Sequence, residues 1–372
     1  MTTNQTQETT SQTAESSHAQ LALIGLYMAA DNRLTKLMGK VMRMLRRAST
    51  PLDLSMAFDV MRRGERQVVN QLERQTPPLL ETLTRTVEQE MQVEARHLPP
   101  KPPTPTVNIP GNSPQPFDFT MPLGQRATSA IRVDLQTELK DIRARILRQH
   151  DDLYKLTASG AATHNMLRYG TIKDAQQSMM SDLLQHGVTG FTDRSGRNWQ
   201  LSSYVEMAVR TASMRAYNEA HMQVMQAAGV TLFMVPVHAH TCPVCFKWQG
   251  KILSLTSDDD ADATVDEARA AGLWHPNCEH MLVSFREGDK RPKVSEWTDR
   301  DQQLWESSQR QRSLESSIRA QKRVLVNSGD GQMRVNARAK IRRYQSQLRE
   351  LTKSTGLLRR TRREQLDLGL RK

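Results

Sequence analysis

Apolar positions recur at helical spacing over most of the chain. Leu34, Met38, Val41 and Leu45 form one stripe, and Leu83, Val87 and Met91 form another, within a segment reaching from Leu21 to about Leu98. Pro51 and the Pro77-Pro78 pair interrupt the pattern, so the spacing predicts three or four helices there. Proline lacks the amide hydrogen and clashes with the preceding turn. Residues 126–187 read as helix again, with Ile131, Leu135, Leu139 and Ile142 followed by Ile146 and Leu153. The period changes at residues 188–201. Phe191 and Trp199 bracket a turn containing Gly196, which predicts a short β-hairpin. Ser203 and Glu206 have the spacing of a capping box that would open a long helix to about Ala228. Tyr204, Met207, Thr211, Met214, Met222 and Met225 would follow its inner face. Strands are predicted at Leu232–Val237, Trp248–Leu255 and Met281–Phe285, with a short helix at about Val265–Ala271. Pro236 would put the first strand near a sheet edge. From Val294 onward the pattern is helical with a basic surface, and Gly329-Asp330-Gly331 divides it into two helices.

Two segments follow neither period. Residues 1–20 are rich in Thr, Ser and Gln and read as a disordered tail. Residues 99–125 hold nine of the 16 prolines and read as an extended, semi-rigid linker. The organisation expected is therefore a tail over 1–20, a helical region over 21–98, a Pro-rich linker over 99–125, a central α+β domain over 126–290 and a basic helical arm over 291–372. The fold class is α+β and predominantly α-helical, with a small antiparallel β block flanked by helical regions.

Charge sharpens the reading of the last region. The chain has 52 Lys and Arg against 40 Asp and Glu, a net charge of +12. Residues 286–372 alone hold 23 basic and 11 acidic residues, so the whole excess falls there. That excludes a uniformly basic, histone-like protein and points to a basic C-terminal arm. Arg342, Arg343, Arg359, Arg360, Arg362 and Arg363 are its candidate phosphate contacts. The competing reading is a solvated helix face, or an arm that docks on an acidic protein. No apolar run reaches the ~20 residues a bilayer span needs, so no membrane role is expected. Nor does the N-terminal stretch read as a secretory signal. Three cysteines do not make a disulfide framework, and a soluble protein of a reducing compartment fits.

All three cysteines fall in one constellation: Cys242-Pro243-Val244-Cys245, then, 29 residues later, His275-Pro276-Asn277-Cys278. Two close pairs of soft donors separated by a folded segment suit tetrahedral zinc. Cys242, Cys245, His275 and Cys278 are the expected ligands, with His238, His240 and His280 as alternative ligands or supporting donors. Reduced, metal-free cysteines in a packed core are the competing reading. A thioredoxin-type motif lacks its βαβ context. A zinc deaminase would need His-x-Glu upstream, where the chain has His238-Ala239-His240. Asp258, Asp260 and Asp262 match the first ligand positions of an EF-hand, but Ala263 stands in place of its glycine and Arg269 in place of its bidentate Glu. A solvated loop capping the next helix accounts for them better. Walker, Gly-x-Ser-x-Gly, His-Glu-x-x-His and Rossmann patterns are missing from the sequence. Glu206 and Arg210, four apart, would pair with each other.

A longer pattern spans residues 160–290. It runs from Gly190-Phe191-Thr192-Asp193-Arg194-Ser195-Gly196-Arg197-Asn198-Trp199 through Val237-His238-Ala239-His240 and Trp248-Gln249-Gly250-Lys251 to Asn277-Cys278-Glu279-His280. In order and spacing it resembles the phage minor capsid protein 2 family and, more distantly, the Mu F-like phage head morphogenesis proteins. Family members compared most closely carry an Ala-Arg-Pro-x-His type segment where this chain has Thr241-Cys242-Pro243-Val244-Cys245. The cysteine pair is more like the Mu F-like side. The resemblance implies a structural role in the procapsid of a tailed phage, near the portal or the capsid interior, in contact with portal or major capsid proteins, and the basic arm would be the part to reach packaged DNA. It implies a protein of the virion, present in the host cytoplasm during assembly, and no enzymatic activity. Two other functions stay open: nucleic-acid binding through the basic arm, and a zinc-dependent enzyme.

Overall fold

The computed structural model describes residues 2–47, 51–96, 125–158, 191–192, 198–238, 241–256, 261–286, 288–328 and 330–366. The Pro-rich linker therefore lies outside the described residues, apart from Gln125. The elements in chain order are α1 (Thr2–Arg47), α2 (Pro51–Arg96), α3 (Gln125–Ala158), β1 (Phe191–Thr192), β2 (Asn198–Trp199), α4 (Leu201–Ala227), β3 (Leu232–Met234), α5 (Pro243–Phe246), β4 (Ile252–Ser254), β5 (Ala263–Thr264), α6 (Val265–Ala270), β6 (Val283–Phe285), α7 (Asp299–Asn327) and α8 (Gly331–Thr355). A 3₁₀ turn follows at Thr361–Glu364. Helix α1 starts at Thr2, within the segment whose composition reads as a tail.

Two compact units are assembled from non-contiguous pieces. The first combines residues 1–21, 78–136 and 207–305, and the second residues 22–77, 137–206 and 306–372. One helix, α2, replaces the expected break at Pro77-Pro78. The prolines remove two amide donors, yet Leu72, Thr76, Leu80 and Leu83 on either side are buried and hold the helix together. The pair marks the residue where α2 passes from the second unit to the first.

The first unit contains a four-stranded sheet in the order β5-β4-β3-β6. Strand β3 is central, not an edge: Phe233 faces Leu253 of β4 on one side and Ser284 of β6 on the other. Pro236 lies beyond the strand's end, where its missing amide costs no ladder bond. Strands β3, β4 and β6 pair antiparallel, and β5 adds to β4 in parallel, so the block is mixed. Phe233, Val235, Leu253, Val265, Leu273 and Leu282 build its core against Met222 and Met225 of α4. The inner face of α4 is otherwise set by smaller residues, including Val205, Ala208, Val209 and Ala220, while Tyr204, Met207, Thr211 and Met214 are half-buried. Helix α4 begins at Leu201, so Ser203 lies inside it and not at its cap. The capping box occurs instead at α6, where Thr264 and Glu267 bond reciprocally. The predicted hairpin forms, pairing Phe191 with Trp199, while residues 193–197 of its turn lie outside the described residues.

Among the described residues the second unit is helical apart from the β1–β2 hairpin. Met38, Val41 and Met42 of α1, Ala57 and Met61 of α2, Val324 of α7 and Ala337 of α8 share one core. Leu314 and Ile318 of α7 pack on Leu348 of α8 in another. Between these, α7 buries a ladder of polar residues at every fourth position: Gln311, Glu315, Arg319, Arg323 and Asn327. Arg323 is 2% exposed, and burial pushes its guanidinium below its ordinary range, with Asp31 opposing that shift.

Candidate metal centre

The first cysteine pair is shaped by α5. Cys242 caps this short helix, its Sγ accepting from the Cys245 amide at 3.3 Å, and Pro243 occupies the first helical position, where no amide is needed. One turn on, Cys245 is fully buried in the apolar core.

The second pair is delivered by a turn with two left-handed residues, Trp274 at φ 61° and Asn277 at φ 65°. Asparagine tolerates that region; tryptophan resists it. Three contacts hold Trp274 there. Its ring is buried in the core, its Nε1 donates to the His280 carbonyl at 3.0 Å, and the Arg269 guanidinium lies 5.6 Å from the ring centroid. The Cys278 amide then closes the turn on the His275 carbonyl at 2.9 Å.

Helix α4 braces this turn from the side. Thr211 Oγ1 accepts from the Asn277 amide at 3.2 Å. Asn218, buried, donates to the His280 carbonyl at 3.1 Å and accepts from the Leu282 amide at 3.0 Å.

The donor atoms form two triads that share Cys245. Cys242, Cys245 and His275 make one, and Cys245, Cys278 and His280 the other, with the atoms of each within 4.8 Å of one another. Cys242 Sγ lies 3.0 Å from His275 Nε2, Cys245 Sγ 3.6 Å from Cys278 Sγ, and Cys278 Sγ 3.5 Å from His280 Nδ1. A zinc–sulfur bond of about 2.3 Å makes the edge of a tetrahedron about 3.8 Å, a spacing each triad approaches, whereas the four expected ligands Cys242, Cys245, His275 and Cys278 do not form one group within 4.8 Å.

The two histidines differ in what holds their second nitrogen. His275 Nδ1 bonds the Pro276 carbonyl at 2.9 Å, which turns Nε2 toward Cys242 as the nitrogen that would bind a metal once its proton is lost. His280 is arranged the other way. The Gln249 amide donates to the His238 carbonyl at 3.4 Å and to His280 Nε2 at 3.3 Å. The proton of His280 therefore sits on Nδ1, directed at Cys278 Sγ. Thr241 Oγ1 is 3.4 Å from the same Nε2. His238 stands edge-on to His280 with ring centroids 4.6 Å apart, and burial, then the neighbouring His280, hold it below its ordinary imidazole range. His240 lies outside the described residues.

Proton sharing prepares the sulfurs for a cation. The Cys245 thiol donates to Cys242 and, with His275 alongside, holds it down to about 3. The same thiol, with His280, holds Cys278 down to about 4. Cys245 is pushed far up because its proton serves both neighbours. His275 is raised to about 9 by its bond to Cys242. Zinc would have to displace two protons from this set, the shared thiol proton of Cys245 and the imidazolium proton of His275.

The arginines of the C-terminal region divide into two groups. Arg342, Arg343 and Arg362 are exposed. Arg359 pairs with Glu364 at 2.8 Å, Arg360 with Glu315 at 3.0 Å, and Arg363 with Glu206 at 2.6 Å and Glu315 at 3.1 Å. Arg210 lies 3.9 Å from Glu279. Sequence reasoning missed Thr211, Asn218, Gln249 and Trp274. Gln249 was signalled only as part of Trp248-Gln249-Gly250-Lys251, and Asn218 only as a polar residue on an apolar helix face. Gly250 in that motif has φ 73°, and its amide bonds the Val235 carbonyl at 2.8 Å.

Among the described residues no helix is long and apolar enough to cross a membrane. The chain matches the family described as phage minor capsid protein 2 over residues 61–353. It is also similar to a curated protein named "Structural protein" from Lactococcus phage LL-H, 24% identical over 203 residues, covering 51% of this chain and 55% of that one. The chain thus spans about half the length of that relative. No solved structure matches. The family match covers most of the sequence and includes the sheet and the whole Cys/His centre, and on it the chain belongs to the phage minor capsid protein 2 family.

Proposed function

We propose that the chain is a structural component of a tailed-phage head, placed near the portal vertex or on the capsid interior, in contact with portal or major capsid proteins. The family match over residues 61–353 carries this reading. The architecture agrees with a building block: long helices, a small sheet and a compact Cys/His knuckle. In this reading the protein performs no turnover chemistry. It resides in the virion and passes through the host cytoplasm during assembly.

The knuckle acts as a staple. Cys242, Cys245, Cys278 and His275 would hold a zinc ion, and His280 would support Cys278 through its Nδ1 proton. Bound zinc would cross-link the α5 turn to the His275–Cys278 turn and keep the sulfurs as thiolates. Four protein donors close the coordination sphere, as in structural sites, whereas catalytic zinc keeps one position open. Asn218 and Gln249 orient the turn and the imidazole, so they are positioning residues.

The test of placement is the particle itself. Mass spectrometry of purified procapsids and virions is expected to find this polypeptide. Its absence from both would overturn the reading.

A further inference from the structure

The positive excess belongs to the second unit as a whole. Its pieces hold 37 basic and 19 acidic residues, while the first unit holds 15 and 21. Part of the C-terminal charge is neutralised internally, since Arg359, Arg360 and Arg363 meet Glu364, Glu315 and Glu206. Of the seven exposed cations of α8, all but Lys340 and Arg343 lie on one side of the helix.

Arg334, Arg338, Arg342, Arg349 and Lys353 are all exposed. At about 100° per residue they fall within an arc of about 100° on one side of that helix, over a length of about 28 Å. Ala337 and Leu348 bury the flank next to Arg334. Among the described residues none of the five has a carboxylate partner, and Glu350 is the one acidic residue in α8. Tyr344, the aromatic residue of α8, is turned into the core against Leu314, Ile318 and Leu348, so the stripe offers no stacking platform for unpaired bases. The same unit carries a second stripe on α1, where Arg33, Lys36, Lys40, Arg43 and Arg47 are exposed at three- and four-residue spacing. The two helices share the Met38–Val41–Ala337 core.

We propose that the α8 stripe is a binding surface for the phosphate backbone of double-stranded DNA, read without base sequence. A row of four guanidinium groups and one ammonium, one or two turns apart and with no aromatic among them, complements the regular charge of a duplex, which carries one phosphate per about 1.7 Å of axis. The proposal deepens the reading of a head protein, because the head is where duplex DNA is packed. Binding to DNA and presence in the particle are measured separately and can fail separately.

The experiment uses the full chain and a duplex of about 30 base pairs, with affinity measured across salt; five phosphate contacts give a slope near −4.5 in log K against log salt. The test variant is Arg334→Gln, Arg338→Gln, Arg342→Gln, Arg349→Gln, Lys353→Gln. The control neutralises five exposed cations of the first unit: Lys247→Gln, Arg286→Gln, Lys290→Gln, Lys293→Gln, Arg300→Gln. Circular dichroism melts establish that both variants fold. The test variant is expected to lose about 100-fold or more in affinity and to shallow the slope by about four, with the control's slope changed by less than about one. An unchanged slope in the test variant, or equal losses in both, would overturn the proposal. So would tighter binding of wild type to polyglutamate than to the duplex, which would make the stripe a dock for an acidic protein.

Discussion

Replacing Glu315 with alanine removes the acceptor on which the C-terminal turn closes. The carboxylate is 1% exposed, accepts from Arg360 through two bonds at 3.0 and 3.2 Å and from Gln311 at 3.1 Å, and forms an ion pair with Arg363 at 3.1 Å. Breaking a buried ion pair from one side costs about 3–5 kcal/mol, because the partner's charge stays behind. Arg360 keeps 36% of its side chain exposed and Arg363 20%, so water rehydrates part of both. That places the cost at the low end, about 3 kcal/mol. Since about 1.4 kcal/mol is tenfold in an equilibrium, local opening becomes more than 100-fold easier. Native-state hydrogen exchange reads this directly in the peptides covering 311–323 and 359–366. Glu315→Gln keeps one polar acceptor and should fall between wild type and alanine. Adding Arg360→Met to Glu315→Ala should cost less than the two single changes together, since the stranded cation is gone. Exchange within about threefold of wild type in Glu315→Ala would refute the reasoning that this carboxylate anchors the turn.

Asn218→Ala leaves the buried Leu282 amide without its acceptor, an expected loss of about 1–3 kcal/mol in urea unfolding followed by tryptophan fluorescence. Gly250→Ala combines a left-handed φ of 73° with a Cβ 2.5 Å from Val294 Cγ2. It should therefore destabilise more than Gly229→Ala, where φ is 83° and no atom lies within 4 Å. Glu364 supplies a pH test: burial opposes ionisation, but Arg359 and Gln345 outweigh it and hold the carboxyl below its ordinary value. Its stabilisation is complete above the usual carboxylate range and drains away as pH falls below it, so Glu364→Gln should flatten the acid limb of the melting curve.

The knuckle was legible because its chemistry is local. Cys-x-x-Cys and His-x-x-Cys each occupy one turn, and the folded segment between them was visible as strands and a short helix. The helix break at Gly329–Gly331 was equally plain, and Asp330 caps α8 there through the Met333 amide at 2.7 Å. What escaped was whatever depends on distant partners. Asn218 reads as one polar position in a helix until residues 280 and 282 arrive beside it. Arg360 and Arg363 read as a solvated basic run until Glu315, 45 residues from Arg360, takes them up. Proline at 77 and 78 signalled a break, but burial of the flanking residues outweighed the two lost backbone bonds. Pro236 argues for an edge strand only if it lies within β3, and the strand ends at Met234.

The claim that the Cys/His knuckle is a closed structural zinc site is tested most directly by metal content. The full chain, purified under reducing conditions in metal-free buffer, is analysed by inductively coupled plasma mass spectrometry. One zinc per chain is expected in wild type and in His280→Ala, with near-complete loss in Cys242→Ser and Cys278→Ser. Zinc well below one per chain in the wild-type protein would contradict it and leave three reduced cysteines in a packed core.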